Sequence, residues 1–183
     1  QRSFGHIPVF WAWLAHILEA NASCQKAVGF IQSWCRASKL PVPSSDTSSY
    51  CKARCRLRLS FLQQIHRRII AHVSGRIGSR DQWNGFTLKA MDGSSVQLMD
   101  TDQNQLLYPQ PSVQKPGCGF PVMKLCALFS LTTGAWLAHE TGRTYDHDLS
   151  CALPLLTGHL ASGDVLVADR AYSAWWVMAI AVS

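Results

Sequence analysis

The sequence contains few acidic residues and lacks the features that mark several protein classes. Eleven of its 183 residues are Asp or Glu, and only two of these are glutamates. The longest apolar stretches, residues 6–18 and 171–182, are shorter than the roughly 18–20 residues of a membrane span, which argues against a membrane protein. No basic segment precedes a cleavage site, so a secretory leader is not expected in this sequence. Repeats and low-complexity tracts are also absent, which argues against a repeat architecture.

The cysteines do not follow the pattern of a disulfide-stapled protein. There are seven, an odd number, at irregular spacing. This pattern favours reduced thiols and therefore a cytoplasmic protein. With 48% hydrophobic and 15% charged residues, the chain can bury a core of ordinary size. We expect one domain, or one domain joined to a smaller helical part.

Charges of opposite sign are divided between the two halves of the chain. Residues 1–90 carry 13 Lys or Arg against 3 Asp or Glu, a net charge of +10. Residues 91–183 carry 4 against 8, a net charge of −4. A basic half suits contact with phosphates, and an acidic half suits cation binding. A basic helix surface in water beside a neutral domain is the simpler alternative.

The first half has the hydrophobic period of helices. Residues 8–19 form an apolar segment of helix length, and Ser23 is expected to cap a second helix. The Pro- and Ser-rich residues 40–49 predict a loop. Ser60 is expected to cap a further helix with an apolar inner side. These signals predict an all-helical N-terminal region over residues 1–82.

The second half changes to the period of strands after a Gly-rich stretch at residues 75–85. Residues 86–100 predict two strands joined by a hairpin turn at Asp92-Gly93-Ser94. A polar loop, one or two further strands, a helix and a short strand are then predicted at 101–119, 121–142, 147–160 and 165–168. This order is that of a mixed α/β domain over residues 86–183, with the last strand parallel to an earlier one.

Two aspartates stand beside predicted strands. If the strand at Val165 lies next to the strand at Met91, Asp92 and Asp169 meet at the same edge of the sheet. Carboxylates so placed repel each other unless a cation neutralises them, and the hard ion Mg²⁺ suits oxygen ligands. Two such ions, about 3.5–4 Å apart, can clamp a phosphodiester. Taken singly, a turn role for Asp92 and a helix N-cap role for Asp169 are the simpler alternatives.

Four motifs occur in an order that is typical of one known family. They are DGSS (92–95), DTDQNQLLYPQ (100–110), GFP (119–121) and GDVLVADRAY (163–172). In this order and spacing the chain resembles the DDE transposases of bacterial insertion sequences, specifically the insertion-sequence-four family. The segments SCQKAV and YCKARCRL are similar to the helical N-terminal region of that family.

The resemblance implies a fold, an activity and partners. The fold is an α/β, ribonuclease-H-like mixed-sheet catalytic core, preceded by the helical region. The activity is Mg²⁺-dependent cleavage and strand transfer at element ends, with Mn²⁺ as a substitute. The implied partners are double-stranded DNA and a second copy of the chain, in a homodimer associated with the bacterial nucleoid. Asp92 and Asp169 match the first and second catalytic, metal-binding aspartates of the family.

One element of the family pattern is missing. The third acid of the family is a glutamate on a helix well downstream of the second aspartate, and residues 170–183 contain no acid. Glu140 lies between the two aspartates, matches no motif and is expected to be an ordinary surface acid. We therefore expect this chain to be a transposase fragment with an incomplete core, which binds DNA without cleaving it.

Basic side chains supply the predicted DNA contacts. The candidates are Arg54, Arg56, Arg58, Arg67, Arg68 and Arg170. Arg170, which follows the second aspartate, is expected to hold a phosphate with its two-pronged guanidinium. A solvated helix face for the first five, and a salt bridge from Arg170 to Asp164 or Asp146, are the structural alternatives.

Two other functions remain open on the sequence. One is a non-catalytic DNA-binding remnant that inhibits transposition. The other is a small zinc-dependent DNA-binding module, because Cys51, Cys55, His66 and His72 loosely follow zinc-finger spacing. The gap between the cysteines and histidines is shorter than usual, so core thiols and surface histidines are the simpler interpretation.

Overall fold

A computed structural model describes residues 4–182 as helices and a single four-stranded sheet. The helices are α1 (His6–Leu18), α2 (Cys24–Ala37), α3 (Thr47–Arg54), α4 (Leu59–Ser74), α5 (Asp102–Leu107), α6 (Asp148–His159) and α7 (Trp175–Val182). The strands are β1 (Thr87–Gln97), β2 (Val122–Ser130), β3 (Trp136–Arg143) and β4 (Asp164–Ala168), and short 3₁₀ helices occur at Ser79–Asp81 and Arg170–Tyr172. No helix within residues 4–182 combines the length and the apolar character needed to cross a bilayer.

The chain divides into two compact units, Gln1–Arg68 and Ile69–Ser183. The division falls inside α4, upstream of the change of hydrophobic period at residues 75–85. Between residues 4 and 82 the structure contains helices and connecting segments without a strand, and the sheet begins at Thr87.

The first unit is built around the buried ring of Tyr50. Its core contains Val9, Ala12, Ala27, Val28, Ile31, Cys35, Tyr50 and Ala53, contributed by α1, α2 and α3. The Tyr50 hydroxyl lies 3.2 Å from His16 Nδ1, so the polar end of this buried side chain is hydrogen-bonded. Burial raises the pKa of Tyr50, because the phenolate would lose its hydration.

Local signals in the first unit are partly confirmed. Ser23 caps α2 by accepting a hydrogen bond from Lys26 N at 3.2 Å, as predicted. The helix α3 was not predicted; it begins directly after Asp46, whose carboxylate accepts a hydrogen bond from Ser48 N at 3.0 Å. The predicted cap at Ser60 is wrong, because α4 already begins at Leu59.

The strand order of the sheet is β3-β2-β1-β4. The strands β3, β2 and β1 are antiparallel neighbours, whereas β1 and β4 are parallel. The helix α6 makes the crossover from β3 to β4, as a parallel connection requires. The second unit is therefore a mixed α/β fold, with its core between the sheet and the helices α6 and α7. The predicted parallel pairing of the strand at Val165 with the strand at Met91 is confirmed.

The predicted hairpin at Asp92-Gly93-Ser94 is wrong. Residues 87–97 form one continuous strand, and Asp92 pairs with Ala127 while Gly93 pairs with Cys126. An Asp-Gly pair favours a turn when its two flanking segments pair with each other. Here β2 and β4 supply the pairing partners instead, so the segment stays extended.

An ion pair with little solvent exposure joins β1 to the start of β4. Lys89 Nζ lies 2.5 Å from Asp164 Oδ2, and the two side chains are 14% and 10% exposed. Lys89 Nζ also donates to His159 O at 2.7 Å, and Asp164 Oδ2 accepts from Ala161 N at 2.8 Å. Because both charges are satisfied by several partners, this pair holds one register between the parallel strands.

Removal of one member of this pair should destabilise the chain. Lys89→Met leaves the Asp164 carboxylate buried without its counter-charge, so we expect the free energy of unfolding to fall by about 3 kcal/mol. Lys89→Met/Asp164→Asn should recover part of this loss. The control is Lys26→Met, whose ion pair with Glu19 is exposed and should contribute less than about 1 kcal/mol. Denaturant unfolding measures all three, and equal effects of Lys89→Met and Lys26→Met would contradict the assignment.

Candidate functional site

The site begins at the carboxyl end of the parallel strand pair. Met91 and Ala168 are the last residues of β1 and β4 that pair with each other. Asp92 and Asp169 follow them directly. Asp169 continues the extended backbone, with φ −72° and ψ 170°. Since side chains alternate between faces and paired strands lie about 4.7–4.9 Å apart, the two aspartates stand side by side on one face. Both are exposed.

Each of the two carboxylates is oriented by a backbone N–H. Asp92 Oδ1 accepts a hydrogen bond from Gly93 N at 2.8 Å. Asp169 Oδ1 accepts one from Ala171 N at 2.6 Å and so caps the 3₁₀ helix that follows. The N-cap role expected as the simpler alternative for Asp169 is thus present. The cap uses only Oδ1 of Asp169, as the bond from Gly93 uses only Oδ1 of Asp92. Within residues 4–182 the second oxygen of each carboxylate has no hydrogen bond to the protein.

Both aspartates line a cavity of about 240 Å³. Its other lining residues include Ser94, Lys124 and Tyr172. Lys124 lies on β2, and its Nζ donates to Asp146 O at 2.7 Å. The sequence did not single out Lys124 or Tyr172; only the alternation along β2 and the motif around Tyr172 hinted at them. Lys124 pairs with Ser95 and therefore shares the face of Gly93, whereas Asp92 belongs to the opposite face.

The carboxylate pair fits a single hard cation. Mg²⁺ usually keeps several waters and is held by one or two carboxylates together with substrate phosphates. Asp92 and Asp169 offer this donor set, each with one oxygen left over from its backbone bond. Within residues 4–182, no group of three or more His, Cys, Asp or Glu side chains is arranged to hold a metal ion. The pair therefore suits a cation whose remaining ligands come from water and phosphate.

Glu140 lies apart from this pair. It is on β3, where it pairs with Cys126, and Cys126 in turn pairs with Gly93 on β1. By alternation Glu140 shares the face of Gly93, and Asp92 belongs to the opposite face. The expectation that Glu140 is not part of the aspartate site agrees with this position.

The motif DTDQNQLLYPQ holds its own loop in place. Asn104 Nδ2 donates to Met99 O at 2.9 Å, and the Tyr108 hydroxyl lies 3.2 Å from Thr141 Oγ1. Gln110 is central: its amide donates to Lys115 O at 2.8 Å, and its Oε1 accepts from Gly117 N at 3.0 Å. These amide and hydroxyl groups therefore have structural roles, and the short helix α5 lies where only a loop was predicted.

The candidate DNA contacts of the first unit differ in exposure. Arg56 and Arg58 are exposed and line a cavity of about 720 Å³ together with His6 and Phe61. Arg54 is half-buried, with its guanidinium 5.8 Å from the centre of the Tyr50 ring. Arg56 and Arg58 are therefore better placed than Arg54 to reach a phosphate.

Three further candidate arginines are exposed. Arg67 and Arg68 lie on α4, and Arg170 follows Asp169. The salt bridge considered as an alternative for Arg170 is absent within residues 4–182: Asp164 pairs with Lys89, and Asp146 accepts from a backbone N–H. These three guanidinium groups are open to solvent.

The loose zinc-finger pattern does not form a metal site in the part of the chain that the structure describes. Cys51 faces Cys24 across α2 and α3, with the two sulfur atoms 3.8 Å apart. The hydrogen bond from the Cys51 thiol to Cys24 raises the pKa of Cys51, which disfavours the thiolate that zinc requires. Cys55 instead lines the cavity of Arg56 and Arg58. Cys51 is half-buried against the core of the first unit and Cys55 is exposed, so the expectation of core thiols is wrong for Cys55.

No family model, curated protein or solved structure matches the chain.

The aspartate pair should bind a divalent cation. We expect Mn²⁺ to bind the wild-type chain. Binding is measured as the loss of the paramagnetic signal of the free ion. Asp92→Asn and Asp169→Asn each remove one negative charge from the site, so each should weaken Mn²⁺ binding by at least about tenfold. Glu140→Gln, the matched control, should leave the affinity unchanged. Equal weakening by all three substitutions would show that the ion is bound elsewhere.

Proposed function

We propose that this chain is part of a DDE transposase whose DNA cleavage and strand transfer are centred on Asp92 and Asp169. One observation carries the proposal: the two aspartates follow paired residues of adjacent parallel strands and line one cavity. The same two residues fall within the motifs DGSS and GDVLVADRAY, on which the resemblance to the transposases depends.

The proposed fold of the second unit is ribonuclease-H-like. The mixed sheet and the crossover helix α6 support this assignment, because they bring residues from distant motifs to one sheet edge. A bare α/β topology hosts many functions, so the assignment also requires the carboxylates at that edge.

The chemistry follows from the charges of the cavity. Asp92 and Asp169 would hold Mg²⁺, or Mn²⁺ in its place, and the ion would stabilise negative charge on the oxygens of a phosphodiester. The backbone bonds from Gly93 and Ala171 orient the two carboxylates before an ion arrives.

The two aspartates alone give too little negative charge for a two-ion site. They supply a charge of −2 against a total of +4 for two divalent ions. The missing charge must come from DNA phosphates and from a third acid, which the family pattern places downstream of the second aspartate. For this reason we propose that the aspartate pair holds one divalent ion together with DNA phosphates, and that cleavage requires a third acid beside the pair.

The first unit would supply most of the affinity for DNA. Its exposed arginines, of which Arg56 and Arg58 share one cavity, provide the positive charge that phosphates require. A homodimer on double-stranded DNA would place two such surfaces on one duplex.

A non-catalytic DNA-binding protein is the second candidate function. It is favoured by the absence of a third acidic ligand beside the pair within residues 4–182. The two candidates differ in one property: only the first requires that cation and DNA binding depend on each other through Asp92 and Asp169.

Binding to a short duplex should be sensitive to salt and should depend on the first unit. We expect Arg56→Ala/Arg58→Ala to weaken binding and to reduce the slope of log affinity against log salt by about 1.8, or 0.9 for each lost phosphate contact. Lys115→Ala, an exposed lysine of the second unit, is the control and should change neither quantity. An equal loss in the control would contradict the assignment of the DNA surface.

Cation and DNA binding should be coupled through the aspartate pair. A duplex supplies phosphate ligands, so we expect it to tighten Mn²⁺ binding by the wild-type chain about five- to tenfold. The Asp92→Asn/Asp169→Asn variant corrects for Mn²⁺ bound by DNA itself and should show no tightening. No cleavage above that of the double variant is expected. Salt-sensitive DNA binding without any coupling would favour the non-catalytic candidate.

A further inference from the structure

Tyr172 belongs to the turn that follows Asp169, and its side chain packs against the strand that carries Asp92. It is the last residue of the 3₁₀ helix that begins after Asp169, it is 5% exposed, and it lines the same cavity. Tyr172 is part of the buried core of the second unit, to which α6 and α7 also contribute side chains. Its hydroxyl lies on the face of the sheet that Gly93 presents, opposite to the face of Asp92, so the phenol supports from behind the strand that carries this carboxylate.

Tyr172 occupies the space where a side chain at position 93 would lie. A Cβ atom added to Gly93 would be 2.8 Å from the Tyr172 hydroxyl oxygen, which is closer than real Cβ atoms approach. Gly93 does not have a positive φ, so its backbone conformation alone is open to other residues. The glycine next to Asp92 is thus required for close approach of the phenol.

The hydroxyl of Tyr172 reaches a third strand. It lies 3.7 Å from Cys126 Sγ, which is buried on β2, and Cys126 is the registered partner of Gly93. The ring therefore extends from the end of β4 across β1 to β2. This contact fixes the polar end of the ring relative to the strand that carries Asp92.

The backbone of Tyr172 is tied to Asp169. Tyr172 N donates to Asp169 O at 3.1 Å, and Ala171 N donates to Asp169 Oδ1 at 2.6 Å. A displacement of the ring would therefore move the turn that orients the Asp169 carboxylate. Tyr172 therefore connects β1, which carries Asp92, with the turn after β4, which begins at Asp169.

We propose that Tyr172 is a positioning residue that sets the separation of Asp92 and Asp169, and thereby the affinity of the pair for a divalent cation. This inference rests on the proposed function, because it assigns the pair to cation binding. A role in core packing alone would affect stability without a specific effect on that affinity.

The test is a double-mutant cycle on Gly93 and Tyr172, with Mn²⁺ affinity and thermal stability as readouts. Gly93→Ala forces the methyl group against the hydroxyl, so we expect Mn²⁺ affinity to fall about tenfold. Tyr172→Phe removes the oxygen and frees this space. In the Tyr172→Phe background, Gly93→Ala should therefore lower Mn²⁺ affinity by less than about threefold.

A destabilising control separates positioning from stability. Leu155→Ala opens a cavity at a fully buried position of α6 and should lower the melting temperature while Mn²⁺ affinity stays unchanged. If Gly93→Ala weakens Mn²⁺ binding equally in both backgrounds, or changes only the melting temperature, the positioning role is wrong. If the wild-type chain binds no Mn²⁺ through Asp92 and Asp169, the proposed function fails and the positioning role fails with it.

Discussion

The parallel pairing of β1 with β4 is the constraint on which the site depends. A strand that slips by one residue turns every side chain to the other face, so a one-residue error would separate Asp92 from Asp169. Parallel pairs are made by a long crossover rather than a tight turn, and no turn sets their register. The ion pair of Lys89 and Asp164, which is largely shielded from solvent, supplies that register instead, since a slip would leave two charges without partners.

The meeting of the two aspartates could be predicted from the sequence, whereas the strand that carries the first one could not. The apolar run before Asp169 predicts a strand, and the segment before that run predicts a helix. A strand that follows a crossover helix requires a parallel partner strand. The pair Asp92-Gly93 is also a strong local signal, for a turn, yet pairing with β2 along the whole of β1 outweighs it. Local propensity decides the backbone conformation only where no neighbouring strand offers competing hydrogen bonds.

The residues that the sequence did not reveal act through distant contacts. Lys124 reaches the cavity only because β2 lies beside β1, and Tyr172 does so only because the turn after β4 folds back over the sheet. Neither contact has a periodic or a capping signal. Gly93 did carry a sequence signal, but the wrong one. The dipeptide Asp92-Gly93 predicted a turn, whereas in the structure the glycine makes room for the Tyr172 ring.

The structural and functional interpretations of the two aspartates support each other. Each carboxylate uses one oxygen to accept a backbone N–H, from Gly93 or Ala171, and these bonds hold the side chains in one orientation. A ligand that is already oriented loses little conformational freedom when an ion binds, so the same bonds that satisfy the local backbone also favour cation binding. The cap at Asp169 is therefore no argument against a catalytic role, because it fixes the direction of the oxygen that is left for an ion.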